Sequence, residues 1–184
     1  MNEYTIKKSI LTFNNTFNKQ LNKYYKVLSN PKIDTIKFGE YFNQEIDHLI
    51  PSNIKVIIFS YKSKFNKDVN FLPETIEEIY YGDNKNHHIG ELLNLSKSIV
   101  KLQLGGKFNQ ELKENVLPKS LKLLIFGKEF NQELKENVLP KSLKLLIFGK
   151  EFNQELKENV LPKSLKLLIF GKEFNPRIKR KCFT

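Results

Sequence analysis

Residues 108–129 read FNQELKENVLPKSLKLLIFGKE, and the same 22 residues return unchanged at 130–151 and 152–173. A strict period of this length marks one supersecondary unit, too small to bury its own apolar face, so the copies have to stack into a solenoid. Within the unit, Leu117-Pro118 leads into the run Leu121-Lys122-Leu123-Leu124-Ile125-Phe126, which Gly127 closes. A short apolar run with proline before it and glycine after it predicts a strand. The proline stands outside the strand, where its missing N–H harms no ladder. The glycine is expected to take a backbone turn that a Cβ would resist. The return segment, residues 132–138, is too short for much helix, so a single helical turn or irregular coil is expected.

Degenerate copies extend the period towards the start of the chain. Phe-Asn recurs at Phe17-Asn18, Phe42-Asn43, Phe65-Asn66, Phe108-Asn109, Phe130-Asn131, Phe152-Asn153 and Phe174-Asn175, and Lys85-Asn86 keeps only the asparagine. The position before this loop reads Asn14, Gly39, Ser60, Gly82, Gly105, Gly127, Gly149 and Gly171. From Gly39 its steps are 21, 22, 23, 22, 22 and 22 residues, while the first interval is 25, with the extra residues in 22–32. The reading is a parallel sheet of eight strands with no linker. One solenoid domain over 1–184 is expected: degenerate units over about 6–106, the identical units at 108–129, 130–151 and 152–173, and a basic tail at 175–184.

Comparing copies assigns the strand faces. The position pair Leu124/Phe126 reads Ile36/Phe38, Ile57/Phe59, Ile79/Tyr81 and Leu102/Leu104 in the degenerate units, always apolar. The alternate pair Leu123/Ile125 reads Thr35/Lys37, Val56/Ile58, Glu78/Tyr80 and Lys101/Gln103. Side chains alternate faces along a strand, so the first pair points inward and the second outward. Leu121, Leu134 and Phe130 are expected to complete each core layer. A row of asparagines, Asn18, Asn43, Asn66, Asn86, Asn109, Asn131, Asn153 and Asn175, can pair loop backbone groups from coil to coil, because a carboxamide both donates and accepts.

The pattern L-P-x-S-L-x-x-L-x-F-G-x-x-F-N-Q resembles the FNIP repeat, a variant related to leucine-rich repeats, from about Ile6 to Pro176. The departures are Lys85 for phenylalanine, Ser96 for proline, and variation after Phe-Asn. The resemblance implies a leucine-rich-repeat-like curved parallel sheet serving as a protein-interaction surface. Similar proteins occur in social amoebae and in large DNA viruses of amoebae, some with an F-box ahead of the repeats. Here the repeats begin almost at Met1, so a role in ubiquitin ligation is not carried over.

The formal charge of +11 rests on lysine, since only Arg177 and Arg180 are arginine. Each identical copy holds four lysines against three glutamates, a thin excess spread over the surface. Bidentate phosphate and guanine recognition favours arginine, and no basic stripe with interleaved aromatics is visible, so nucleic acid is the disfavoured partner. No apolar run reaches the ~18–20 residues of a membrane span, and the start shows no secretory signal pattern. The lone Cys182 fits a reducing compartment. Cytoplasm, or host cytoplasm for a viral protein, is therefore expected, with nuclear entry through the tail Arg177-Ile178-Lys179-Arg180-Lys181 as the variant. Asn14 and Asn94 open glycosylation triplets that mean nothing without secretion.

No catalytic constellation emerges, and no cofactor is implied. His87 and His88 stand beside Asp83 without further ligands at metal-binding spacing, and His48 stands apart. Gly105-Gly106-Lys107 lacks the phosphate-loop spacing, no serine has a histidine and carboxylate placed to activate it, and Cys182 is misplaced for prenylation. What departs from an ordinary surface is the outward strand face: Leu123, Ile125, Leu145, Ile147, Leu167 and Ile169 form two parallel apolar rows. Soluble proteins seldom expose such a cluster without a partner. The sequence therefore reads as a non-catalytic scaffold that binds a protein partner through its sheet. Self-association and weak electrostatic binding to nucleic acid or an anionic surface are the alternatives.

Overall fold

The computed structural model describes residues 2–86, 92 and 95–175. Among the described residues nine strands form one sheet in chain order: β1 Tyr4–Lys7, β2 Ile10–Phe13, β3 Thr35–Phe38, β4 Val56–Phe59, β5 Glu78–Tyr80, β6 Lys101–Gln103, β7 Leu123–Ile125, β8 Leu145–Ile147 and β9 Leu167–Ile169. From β2 to β9 every pair is parallel and in register at the repeat, so Leu124 faces Leu146 and Leu146 faces Leu168. The expected strands all form, and the chain is a parallel β-solenoid. The sequence reading did not anticipate β1, which pairs antiparallel with β2 through a tight turn with Lys8 at positive φ. Its residues lie upstream of the first Phe-Asn unit, where the 22-residue comparison has nothing to align.

The first return arc holds a 3-10 turn at Leu21–Tyr24 followed by α1 at Tyr25–Leu28, and Leu92, in the arc between β5 and β6, is also helical. The turns of the first arc fall within the longer first interval; the return arcs of the identical units are irregular.

The core is built in layers, one per coil. Leu121, Leu124, Phe126, Phe130 and Leu134 are all buried in a representative layer. Two aromatic columns run through these layers. At the strand ends Phe13, Phe38, Phe59 and Tyr81 stack at 5.2–5.6 Å, as do Phe126, Phe148 and Phe170 at 5.3–5.5 Å. In the loops Phe17, Phe42 and Phe65 stack at 5.9–6.1 Å, and Phe108, Phe130, Phe152 and Phe174 at 5.9–6.2 Å. Within a coil the columns touch, as Phe126 and Phe130 do at 3.9 Å. At the amino-terminal end Tyr24 meets both Phe13 and Phe17 edge-on, which closes the columns with the ring geometry that aromatic quadrupoles favour. Tyr24 is itself held by Glu3, which also pairs with Lys19.

Lys85 takes the phenylalanine position of the fourth coil and is only 1% exposed. Its ammonium donates to Lys67 O at 2.8 Å and lies 3.9 Å from the Asp68 carboxylate. The side chain thus substitutes for a ring by laying its methylenes in the column, with its buried ammonium held by the loop carbonyl of Lys67 and the Asp68 carboxylate.

The glycines serve a different purpose from the one expected. None of the described glycines has positive φ. A Cβ on Gly127 would stand 1.9 Å from Gly105 O, and one on Gly149 1.9 Å from Gly127 O. Close approach of the preceding coil's carbonyl, rather than a left-handed turn, is what demands glycine there.

Candidate interaction surface

The outward face of the sheet divides in two. In β5 and β6 it is polar and internally paired: the Lys101 ammonium lies 2.8 Å from Glu78, and the Tyr80 hydroxyl donates to Glu78 at 2.9 Å. Burial first, then the Glu78 carboxylate, push Tyr80 up to about 12. From β7 to β9 the face is apolar, with Leu123, Leu145 and Leu167 in one row and Ile125, Ile147 and Ile169 in the next. The first two coils of these rows are half-buried by their neighbours. Leu167 is 51% exposed and Ile169 42% exposed. The strand register brings all six expected residues into one patch.

At the strand exits a cavity of about 600 Å³ opens beside this patch, lined by Ile125, Gln103, Tyr61, Asp83, Lys128 and Lys150 among others. A hydrogen bond to Asp83 raises the Tyr61 hydroxyl above its ordinary pKa. Apolar rows thus run into a recess rimmed by both signs of charge and two hydrogen-bonding side chains. The cavity was not legible in the sequence, because it combines residues from coils three to five with the identical units.

The asparagine row has a defined geometry. Asn18, Asn43 and Asn66 accept at Oδ1 from the backbone N–H of Asn43, Asn66 and Asn86, at 2.9–3.1 Å. Asn109, Asn131 and Asn153 accept in the same way from Asn131, Asn153 and Asn175 at 2.9 Å. Gln44, Gln132 and Gln154 donate to the same oxygens at 3.0 Å. The row lies at the solvent edge rather than in the interior, so these bonds compete with water.

A second ladder went unread in the sequence. Ser120, Ser142 and Ser164 donate at 2.6–2.7 Å to Ile99 O, Leu121 O and Leu143 O in the preceding coils. Thr75 does the same to Ile54 O at 3.0 Å, and Asn53 Nδ2 to Ile33 O at 2.7 Å. The signal was the small polar residue three positions after Leu or Ile in L-P-x-S-L and its variants, beside a proline that leaves the coil short of donors.

Chemistry finds little foothold. Among the described residues no cluster of three or more His, Cys, Asp or Glu could hold a metal. His48 has positive φ and stacks on Phe71 at 4.6 Å, a turn role. His87, His88, Asn94 and the tail with Arg177, Arg180 and Cys182 lie outside the described residues. No described helix is long and apolar enough to cross a membrane.

The model of the FNIP repeat matches residues 31–62, 42–84, 86–129 and 130–180. The chain belongs to the FNIP repeat family. A solved structure described as "CroV588 a novel circular LRR protein structure" superposes with a TM-score of 0.96 at 65% identity, over 98% of this chain. This chain spans 27% of the length of that one. No curated protein matches the FNIP repeat chain.

Proposed function

We propose that this FNIP repeat protein is a non-catalytic scaffold, acting as one solenoid domain that docks a protein partner on the outward face of β7–β9. The observation that carries the reading is the junction of the Leu123/Ile125, Leu145/Ile147 and Leu167/Ile169 rows with the cavity beside Ile125. Burying each such side chain is worth ~1.5–3 kcal/mol, while Tyr61, Asp83 and Gln103 give the recess the polar anchors that fix orientation. A relative of the leucine-rich-repeat kind at 65% identity supports the class of function. The cytoplasm is the compartment this reading assigns.

The test is affinity capture from native lysate, nuclease-treated, with wild type beside an Ile125→Lys, Ile147→Lys, Ile169→Lys variant whose fold is checked by circular dichroism. A partner retained by wild type and lost by the variant is the expected result. Retention of every partner by the folded variant removes the site. Self-association through the same face is the competing reading, favoured by the exposure of Leu167 and Ile169. It requires a mass above monomer at tens of micromolar, and loss of that mass in the same variant.

A further inference from the structure

A second surface lies on the return side of the identical units, away from the strand rows. Three coils contribute equivalent residues to an open groove of about 790 Å³. Its floor holds Leu117, Leu139 and Leu161 with Pro140 and Pro162; its walls hold Asn115, Asn137 and Asn159 with one acidic residue, Glu114, and the three lysines Lys119, Lys141 and Lys163.

Both walls are exposed and unengaged. Asn115, Asn137 and Asn159 have φ of 60–63°, a left-handed turn that asparagine tolerates, and their carboxamides bond no described residue. Lys119, Lys141 and Lys163 form no ion pair among the described residues, whereas Lys135 and Lys157 of the same units are paired with Glu111 and Glu133 at 2.5 Å. Beside them runs a second lysine row, Lys122, Lys144 and Lys166, stacked by backbone bonds of 2.8 Å and likewise unpaired among the described residues. In the preceding coils the same stacked position holds Asp34, Lys55, Glu77 and Val100, with Lys55 neutralised by Glu77 at 3.1 Å. The positive edge is therefore densest in the three coils that form the groove, and Lys97, at the position of Lys119 in the coil before, extends it by one residue.

We infer that this groove binds an extended acidic peptide segment of another protein, with carboxylates on the Lys119, Lys141 and Lys163 row and small apolar side chains on the Leu-Pro floor. The free carboxamides offer donors and acceptors to a peptide backbone that has no internal hydrogen bonds. Three coils at ~4.8 Å place Lys163 ~9.6 Å from Lys119, so two carboxylates three residues apart on a polyproline II chain rising ~3.1 Å per residue meet the two outer lysines with Lys141 between them. A bilayer cannot reach a concave floor. A single-stranded nucleic acid would need aromatic platforms, and the groove lining has none.

The test titrates the full chain, at about 100 mM salt, into fluorescein-labelled Glu-Pro-Leu-Glu, whose two carboxylates match that span, and reads anisotropy. A labelled oligothymidylate of equal charge forms a parallel arm. Saturable peptide binding should weaken at least about tenfold in the Lys119→Gln, Lys141→Gln, Lys163→Gln variant. It should also weaken in Asn115→Gly, Asn137→Gly, Asn159→Gly, which keeps the left-handed turn, and persist in the charge-matched Lys7→Gln, Lys26→Gln, Lys62→Gln control. Equal weakening in the control means diffuse charge attraction and overturns the proposal. So does saturable binding of the oligothymidylate alone, or no saturation by the peptide below about 1 mM. The Ile125, Ile147 and Ile169 lysine variant should bind the peptide normally, which separates this groove from the strand face.

Discussion

The degenerate and identical halves of this solenoid solve the same stacking problem with different tolerance. In the first coils the position of closest approach is Asn14, Gly39, Ser60 and Gly82, and a Cβ on Gly39 or Gly82 would stand 2.3 Å from the carbonyl beneath. In the identical coils the corresponding distance is 1.9–2.0 Å, and glycine is invariant from unit to unit. The early coils also accept a lysine in the aromatic column and, apart from Val56 and Ile58 of β4, a largely polar outward face. The later coils repeat one solution three times, and repetition turns single side chains into rows. Chemistry that is diffuse in the first half becomes a surface in the second.

The strongest way to break this comparison is to move a residue across it. Gly149→Ser, which copies the native Ser60, is expected to cost about 3 kcal/mol or more, because the Gly127 carbonyl has no room to retreat. Urea unfolding read by circular dichroism checks it, and unchanged stability would mean that the tighter approach is immaterial. In the opposite direction, Lys85→Phe should stabilise by about 1–2 kcal/mol by completing the column and releasing a buried ammonium. A fall in the urea midpoint would show that the Lys67 and Asp68 contacts outweigh ring stacking.

Smaller effects belong to the surface ladders. Asn131→Ala removes the acceptor for both Asn153 N–H and Gln154, at 2.9 and 3.0 Å, and should cost about 1 kcal/mol. Asn131→Asp keeps the acceptor and should cost less, so equal losses in the two variants would remove the ladder as the cause. The weakest term is electrostatic. Hydrogen bonds from Lys135 and Lys157, with their charges, hold Glu111 and Glu133 below the ordinary carboxylate value. A depressed folded pKa gives stability that is present above the unfolded value and lost as pH falls through the folded one. The small, salt-screened difference between wild type and Lys135→Gln, Lys157→Gln should therefore vanish on acidification; a difference that persists would assign it to packing.

Much of the fold was legible because a repeat compares itself. Leu124/Phe126 against Leu123/Ile125 gave the strand faces, and the 25-residue first interval marked where the extra residues lie, though not that they form helix. What escaped was whatever the period does not carry. The β1 strand lies before the first unit, so no second copy marks it. The glycines were legible as glycines, but only coordinates separate a close carbonyl from a left-handed turn. The left-handed residues of the identical units are Asn115, Asn137 and Asn159, asparagines at a fixed place after Lys-Glu that the sequence alone does not set apart from those of the Phe-Asn row. The six strand-face residues were nameable from alternation alone, whereas the adjoining recess required Tyr61 and Asp83 from other coils.

The central claim is that the partner packs on the outward apolar rows of the identical coils and not on the outward strand face of the amino-terminal coils. Ile58 and Ile147 allow a matched test, since both are half-buried, outward-facing isoleucines in mid-sheet strands. Photo-crosslinking with benzoylphenylalanine at one position or the other, in lysate containing the captured partner, reads the site directly. The account predicts a partner adduct from position 147 and none from position 58. Equal adducts from both, or an adduct from position 58 alone, would contradict it.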